Sequence, residues 1–107
     1  MGFDFWLEKF KREAIPKIKE AYSPEKVLIF GSRIKGNADE DSDIDVIIVS
    51  DLFRDIPFID RMPLLLKLVR FPIHIDFICY TPDEFERIKD KSSVVMDALE
   101  TGAMVKI

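Results

Sequence analysis

VLIFGSRIKGNADEDSDIDVIIV, residues 27–49, is the stretch from which the fold can be worked out. Residues 26–30 (KVLIF) form a short, nearly all-apolar run that stops at Gly31-Ser32, and residues 44–50 (IDVIIVS) form a second, β-branched run. Strands covered on both faces have this pattern. A basic, glycine-containing loop joins them and ends in acids. Residues 39–45 hold five carboxylates and no base. The whole chain of 107 residues carries 16 Lys+Arg against 20 Asp+Glu, a formal charge of −4, so outside this heptapeptide 15 acids face 16 bases. The negative charge is therefore local, and it points to an anionic site rather than a generally acidic surface.

Working outward, residues 3–22 set Phe3, Trp6, Leu7, Phe10, Ala14, Ile18 and Ala21 at three- and four-residue steps, one stripe of an amphipathic helix. Pro16 cannot donate a helical hydrogen bond, so a kink or break is expected there. Residues 51–61 mix charge with Phe53, Ile56 and Phe58 and read as a loop. A helix is expected over 61–70, with Leu64, Leu65, Leu68 and Val69 inward, and a third strand over 71–80 (FPIHIDFICY). Thr81, Pro82 and Glu84 carry the marks of a capping box with proline at the first helical position. A last helix is expected at about 92–101, ended by Gly102 in the left-handed conformation, with a short strand in AMVKI. The pattern predicts one domain, residues 1–107, of α/β (α+β) class, with three or four strands under helices on one face.

Composition narrows the function. At 48% hydrophobic residues the chain can build a real core. The single Cys79 rules out an intramolecular disulfide and a cysteine-rich zinc cage, and it fits a reducing, cytoplasmic setting. MGFDFWLEKFKREAIP interleaves charges with apolar residues, unlike a signal peptide. No run approaches the ~18–20 apolar residues of a membrane span. No basic stripe suggests a nucleic-acid-binding face. Neither nucleic acid nor membrane is expected as a partner of this chain alone.

The acids carry the chemistry. Asp43 and Asp45 stand two apart at the head of a strand, so they share a face about 7 Å apart. Carboxylate oxygens suit Mg²⁺ or Mn²⁺. Asp76 lies in the third strand on the face opposite Ile75 and Phe77. If that strand lies beside 44–50, Asp76 joins the pair. Three close carboxylates repel, and two divalent ions would remove the conflict and serve phosphoryl chemistry. Gly31 permits close backbone approach and Ser32 adds a hydroxyl, a cradle for phosphate oxygens. Arg33 and Lys35 are suited to neutralise a triphosphate tail. Asp39, Glu40 and Asp41 read as a solvated loop, His74 as a packed or hydrogen-bonded histidine, and Cys79 with the Phe3/Trp6/Phe10 stripe as core.

Gly-Ser, a loop, Asp-x-Asp and a distant strand Asp, in that order, resemble the signature of the polymerase-β-type nucleotidyltransferase superfamily. GSRIKGNADEDSDID, with Gly36 and the Ser42-Asp43 pair, is similar to the minimal nucleotidyltransferases of bacteria and archaea. The resemblance implies a small mixed sheet with helices on one face and the site at the sheet rim. It implies Asp43 and Asp45 as ligands to two Mg²⁺ ions (Mn²⁺ as the alternative) and Asp76 as a third ligand that helps deprotonate an acceptor hydroxyl. It implies Gly31 and Ser32 at the β- and γ-phosphates. The reaction implied is transfer of an NMP, AMP if ATP is the donor, to a hydroxyl with release of pyrophosphate. No segment remains to grip an acceptor, which calls for a second subunit, a homo-oligomer surface or a protein acceptor. The resemblance further implies a HEPN-domain partner, with this chain as an antitoxin modifying a toxin tyrosine. The alternatives are a non-catalytic nucleotide- or partner-binding module, and a transferase acting on a small-molecule hydroxyl, as in the aminoglycoside-type enzymes.

Overall fold

In the computed structural model, which describes residues 3–107, the chain opens with one long helical stretch in three pieces. These are α1 (Phe5–Lys9), a π turn (Phe10–Ala14) and α2 (Ile15–Tyr22). Asp4 caps the start by accepting from the Leu7 amide at 3.1 Å. Pro16 does not break the helix. The turn before it widens, and the Ile15 amide reaches back to the Phe10 carbonyl. A π turn carries one extra residue and so rotates the face that follows it. Leu7 is buried before it, Phe10 and Ala14 within it, and Ile15 and Ile18 after it. Ala21, expected in the stripe, is therefore exposed, and Tyr22 takes its place half-buried. Phe3 is 77% exposed because it lies outside the cap and escapes the helix periodicity.

Strands β1 (Lys26–Phe30), β2 (Ile44–Val49), β3 (Ile75–Tyr80) and β4 (Ala103–Met104) form one mixed sheet in the order β3-β2-β1-β4. β1 runs antiparallel to β2 and β4, and β2 runs parallel to β3. The short helix α3 (Ser32–Lys35) joins β1 to β2, and α4 (Phe58–Leu68) makes the crossover to β3. β3 starts later than the apolar run suggests, because Pro72 has no N–H for a ladder and residues 71–74 bend. α4 begins three residues before its expected start, after a 3₁₀ turn at Asp51–Phe53. Its Leu65 and the following Val69 are buried, whereas Leu64 is 39% exposed.

Side-chain alternation sorts the sheet into two faces. Val27, Ile29, Ile44, Val46, Ile48, Ile75 and Phe77 join Phe10, Ile18 and Leu65 under α1, α2 and α4. This is the expected helical face. A smaller layer adds to the other face, where Leu28, Phe30, Ile47 and Val49 meet Phe85, Val95 and Ala98. Those three come from α5 (Pro82–Ile88) and α6 (Ser93–Thr101). The expected capping box holds: the Glu84 amide donates to Thr81 Oγ1 at 3.3 Å and the Thr81 amide to Glu84 Oε1 at 2.8 Å. Gly102 differs from expectation. Its backbone is extended at φ −80°, not left-handed. A Cβ there would collide with the Ala98 and Ile29 carbonyls, so glycine is required by close approach of α6 to β1.

Candidate active site

The parallel register pairs Asp45 directly with Asp76, and the antiparallel register pairs Asp45 with Phe30. Phe30, Asp45 and Asp76 thus form one row across the sheet on the face of α5 and α6; Phe30 is buried in that layer, whereas Asp45 and Asp76 are only half-buried. Neighbouring strands lie about 4.8 Å apart, so the two carboxylates are side by side. Asp43 precedes β2 by one residue, is exposed, and shares the face of Asp45 by alternation. The adjacency of Asp76 that the sequence left conditional is present.

The electrostatics follow from the register. Asp45 and Asp76 are half-buried. The Asp45 carboxyl is pushed above its ordinary range by burial, then by the charges of Asp76 and Asp43, and is eased by His74. His74 stands at this rim too: its carbonyl accepts from the Ile44 amide at 3.1 Å. Among the described residues no three His, Cys, Asp or Glu side chains gather closely enough to hold a metal by themselves. The expected three-carboxylate cluster is therefore a row of mutually repelling acids, not a closed cage. Such a donor set fits Mg²⁺, which keeps waters and substrate oxygens among its ligands and takes few from protein.

Gly31 closes the site from the β1 side. Its φ is +87° with ψ −162°, a region open essentially to glycine alone. A Cβ there would collide with the Asp45 carboxylate. The residue is glycine both for backbone shape and because Asp45 lies against it. Ser32, half-buried, opens α3 directly after this turn.

Both basic residues, expected at a triphosphate, are paired with groups of the protein itself. Arg33 is buried, and its guanidinium is fully engaged inside the protein. Nη1 donates to both Asp4 carboxylate oxygens at 2.9 Å, Nε to the Ser42 carbonyl at 2.9 Å and Nη2 to the Glu40 carbonyl at 2.9 Å. Its geometry supports a fastener of the acidic loop onto the first helix instead of a phosphate contact. Lys35 pairs with Asp97 on α6 at 3.2 Å, with both side chains largely exposed. Asp39 organises a turn: it accepts from the Asp41 amide at 3.0 Å, and the Ser42 hydroxyl lies 3.1 Å from the Asp39 amide. This agrees with a solvated loop that delivers Asp43 to the strand head. The role of Asp4 was missed. Its partner Arg33 lies 29 residues away, and no local pattern announces such a contact.

A rim with acids on one side and a glycine-serine turn on the other is the equipment of an enzyme that handles nucleotide phosphates. The nucleotidyltransferase domain family matches residues 11–103, and the chain belongs to it. It is a transferase that moves a nucleotidyl group, in a family that uses an NTP and divalent metals. Among solved structures it is similar to a "putative nucleotidyltransferase" from Sulfolobus solfataricus, at 23% identity and TM-score 0.54, over 97% of this chain and 89% of that one. It is also similar to BolA1 from Arabidopsis thaliana, at 23% identity and TM-score 0.57, over 69% of this chain and 93% of that one. The BolA domain of SufE1 from Arabidopsis thaliana aligns at 19% identity and TM-score 0.56, over 69% and 93%. These likenesses show the fold alone; differently named proteins share it, so the fold does not select the reaction. No curated protein matches the chain.

Proposed function

We propose that this protein transfers AMP from ATP to a hydroxyl of a protein acceptor, with Asp43, Asp45 and Asp76 as the catalytic acids. The observation that carries the reading is the row formed by Asp45 and Asp76, where burial and mutual repulsion raise the Asp45 carboxyl. A cation is what such a row lacks electrostatically. Asp43 and Asp45 would hold Mg²⁺, with Asp76 as a further ligand. Bound there, the metal would polarise phosphate oxygens and offset the charge that builds on them. Gly31 and Ser32 receive the β- and γ-phosphates through backbone N–H groups and the Ser32 hydroxyl. Lys35 swings from Asp97 toward the triphosphate; its exposure leaves it free to do so. The acceptor oxygen bonds to the α-phosphorus, the bond to pyrophosphate breaks, and the hydroxyl proton passes to the Asp76 carboxylate. Arg33 keeps the loop that carries Asp43 in place. The partner supported best by the family resemblance is a HEPN-domain toxin, with its tyrosine as acceptor.

The test incubates the protein with a HEPN-domain protein as candidate acceptor, Mg²⁺, and ATP labelled at either the α- or the γ-phosphate. The expected result is α-label on the acceptor, γ-label in pyrophosphate, and loss of both on chelation or in Asp43→Asn/Asp45→Asn. Transfer of γ-label, or transfer unchanged in the double variant, would overturn the reading.

A further inference from the structure

β3 is the last strand of the sheet on its side, and among the described residues no strand pairs with its outer edge. The Ile44 amide donates to the His74 carbonyl and the Ser50 amide to the Tyr80 carbonyl. Even-numbered residues of β3 therefore bond to β2, and alternation turns the N–H and C=O of Ile75 and Phe77 and the N–H of Cys79 outward. Among the described residues only the last carbonyl of this edge is taken: Cys79 O accepts from Arg61 Nη1 at 3.1 Å. A groove of about 200 Å³ runs beside the open portion, lined by Ile59, Met62, Asp76 and Phe77 among others. A second hollow of about 310 Å³, lined by Ile73, His74 and Ile75 among others, lies where β3 begins. Ile59 is 79% exposed and Phe58 53% exposed at the rim.

We propose that the open edge of β3 receives an extended segment of a partner polypeptide as an added fifth strand, presenting a hydroxyl side chain in register with Asp76. The inference rests on the nucleotidyl-transfer reading and names the acceptor class for that site. A row of free amides and carbonyls at strand spacing is matched by another peptide backbone and by little else. The residue opposite Asp76 shares its face, and so points to the row of acids. Its two neighbours point to the opposite face, toward Ile59 and Met62, which selects apolar side chains. Residues two away return to the acid face, where Asp43, Asp45 and the residue 39–45 excess of carboxylates select Lys or Arg. The same charge argues against a second copy of this chain. Antiparallel pairing of two β3 edges about Phe77 would bring the two Asp76 side chains to diagonal positions on one face and close the acid row to any acceptor.

The probe is the peptide acetyl-Lys-Val-Tyr-Val-Lys-amide, titrated into ¹⁵N-labelled protein without nucleotide. The expected result is that the Ile75, Phe77 and Cys79 amides shift and gain protection from exchange. N-methylation of the peptide's edge-facing amides is expected to abolish the effect, and Ile59→Glu, on an exposed helix surface, to weaken binding at least tenfold. No shift at β3 up to millimolar peptide would overturn the proposal, as would an N-methylated peptide that binds equally well. A single-stranded oligonucleotide that shifts these amides where the peptide does not would also overturn it. Binding is read apart from turnover. Edge binding without AMP transfer would contradict the function proposed above and leave the edge intact; transfer to an acceptor that leaves the β3 amides unmoved would do the reverse.

Discussion

Gly31 and Arg61 show how single residues hold this site and its support. Gly31→Ala meets both a backbone strain of about 1–3 kcal/mol and the Asp45 carboxylate. The expected outcome is a loss of stability of that order by urea melting, with transferase activity falling much further because Asp45 must move. Arg61, buried on α4, ties three elements together. Its Nε donates to the Ile56 carbonyl at 2.9 Å, its Nη1 to Cys79 O, and its guanidinium holds Glu84 and lies 5.8 Å from the Phe53 ring centroid. Arg61→Met leaves a carboxylate and two carbonyls without their donor, and is expected to cost about 3–5 kcal/mol in chemical denaturation. A loss below ~1 kcal/mol would contradict the role given to it.

Among the elements, α5 contributes acid sensitivity to the fold. Its Glu84 carboxyl is held below the ordinary range by the Arg61 hydrogen bonds, and Asp83 is held at about 2 by its hydrogen bond to Arg54. A carboxyl with a lowered folded pKa binds fewer protons folded than unfolded. Its stabilisation is present above the unfolded carboxylate range of about 4–4.5 and is lost as pH falls through the folded value. Thermal melting from pH 6 to pH 2 is expected to show this loss, and Glu84→Gln to flatten the upper part of it. The capping box was legible in the sequence because Thr81, Pro82 and Glu84 are neighbours and the physics is local. The link from Glu84 to Arg61 was not, since the two lie 23 residues apart and only the fold brings them together. Pro16 announced a disturbed helix, but whether the helix breaks or widens depends on the core that its rotated face must meet. The local pattern at Gly102 predicts a left-handed cap; the tight approach of α6 to β1, a tertiary fact, decides otherwise. The Asp43–Asp45 pair followed from alternation alone, whereas the partner of Asp45 in β3 depended on strand order.

Taken whole, the molecule is a mixed sheet with one face buried thickly and the other only in part, and the uncovered part carries the acids. Cys79 lies on the thickly covered face, and burial pushes its thiol up to about 12. It is expected to resist alkylation at pH 8 until global unfolding. A folded thiol that keeps its proton makes stability fall as pH rises from the unfolded cysteine value of about 8.5 toward 12. Tyr22 and Tyr80, both raised by burial, add to that alkaline loss. The sequence-level excess of acid in residues 39–45 now divides: Asp39, Glu40 and Asp41 belong to a turn fastened by Arg33 and Ser42, while Asp45 forms the row with Asp76 and Asp43 stands on the same face at its end. The central claim is that this row is a divalent-metal site. Mn²⁺ titrated into ¹⁵N-labelled protein with ATP tests it most directly, through paramagnetic broadening of individual amides. Broadening centred on residues 43–46 and 75–77, and abolished by Asp45→Asn, is the expected result. Broadening centred on residues 39–41, or unchanged in Asp45→Asn, would contradict it.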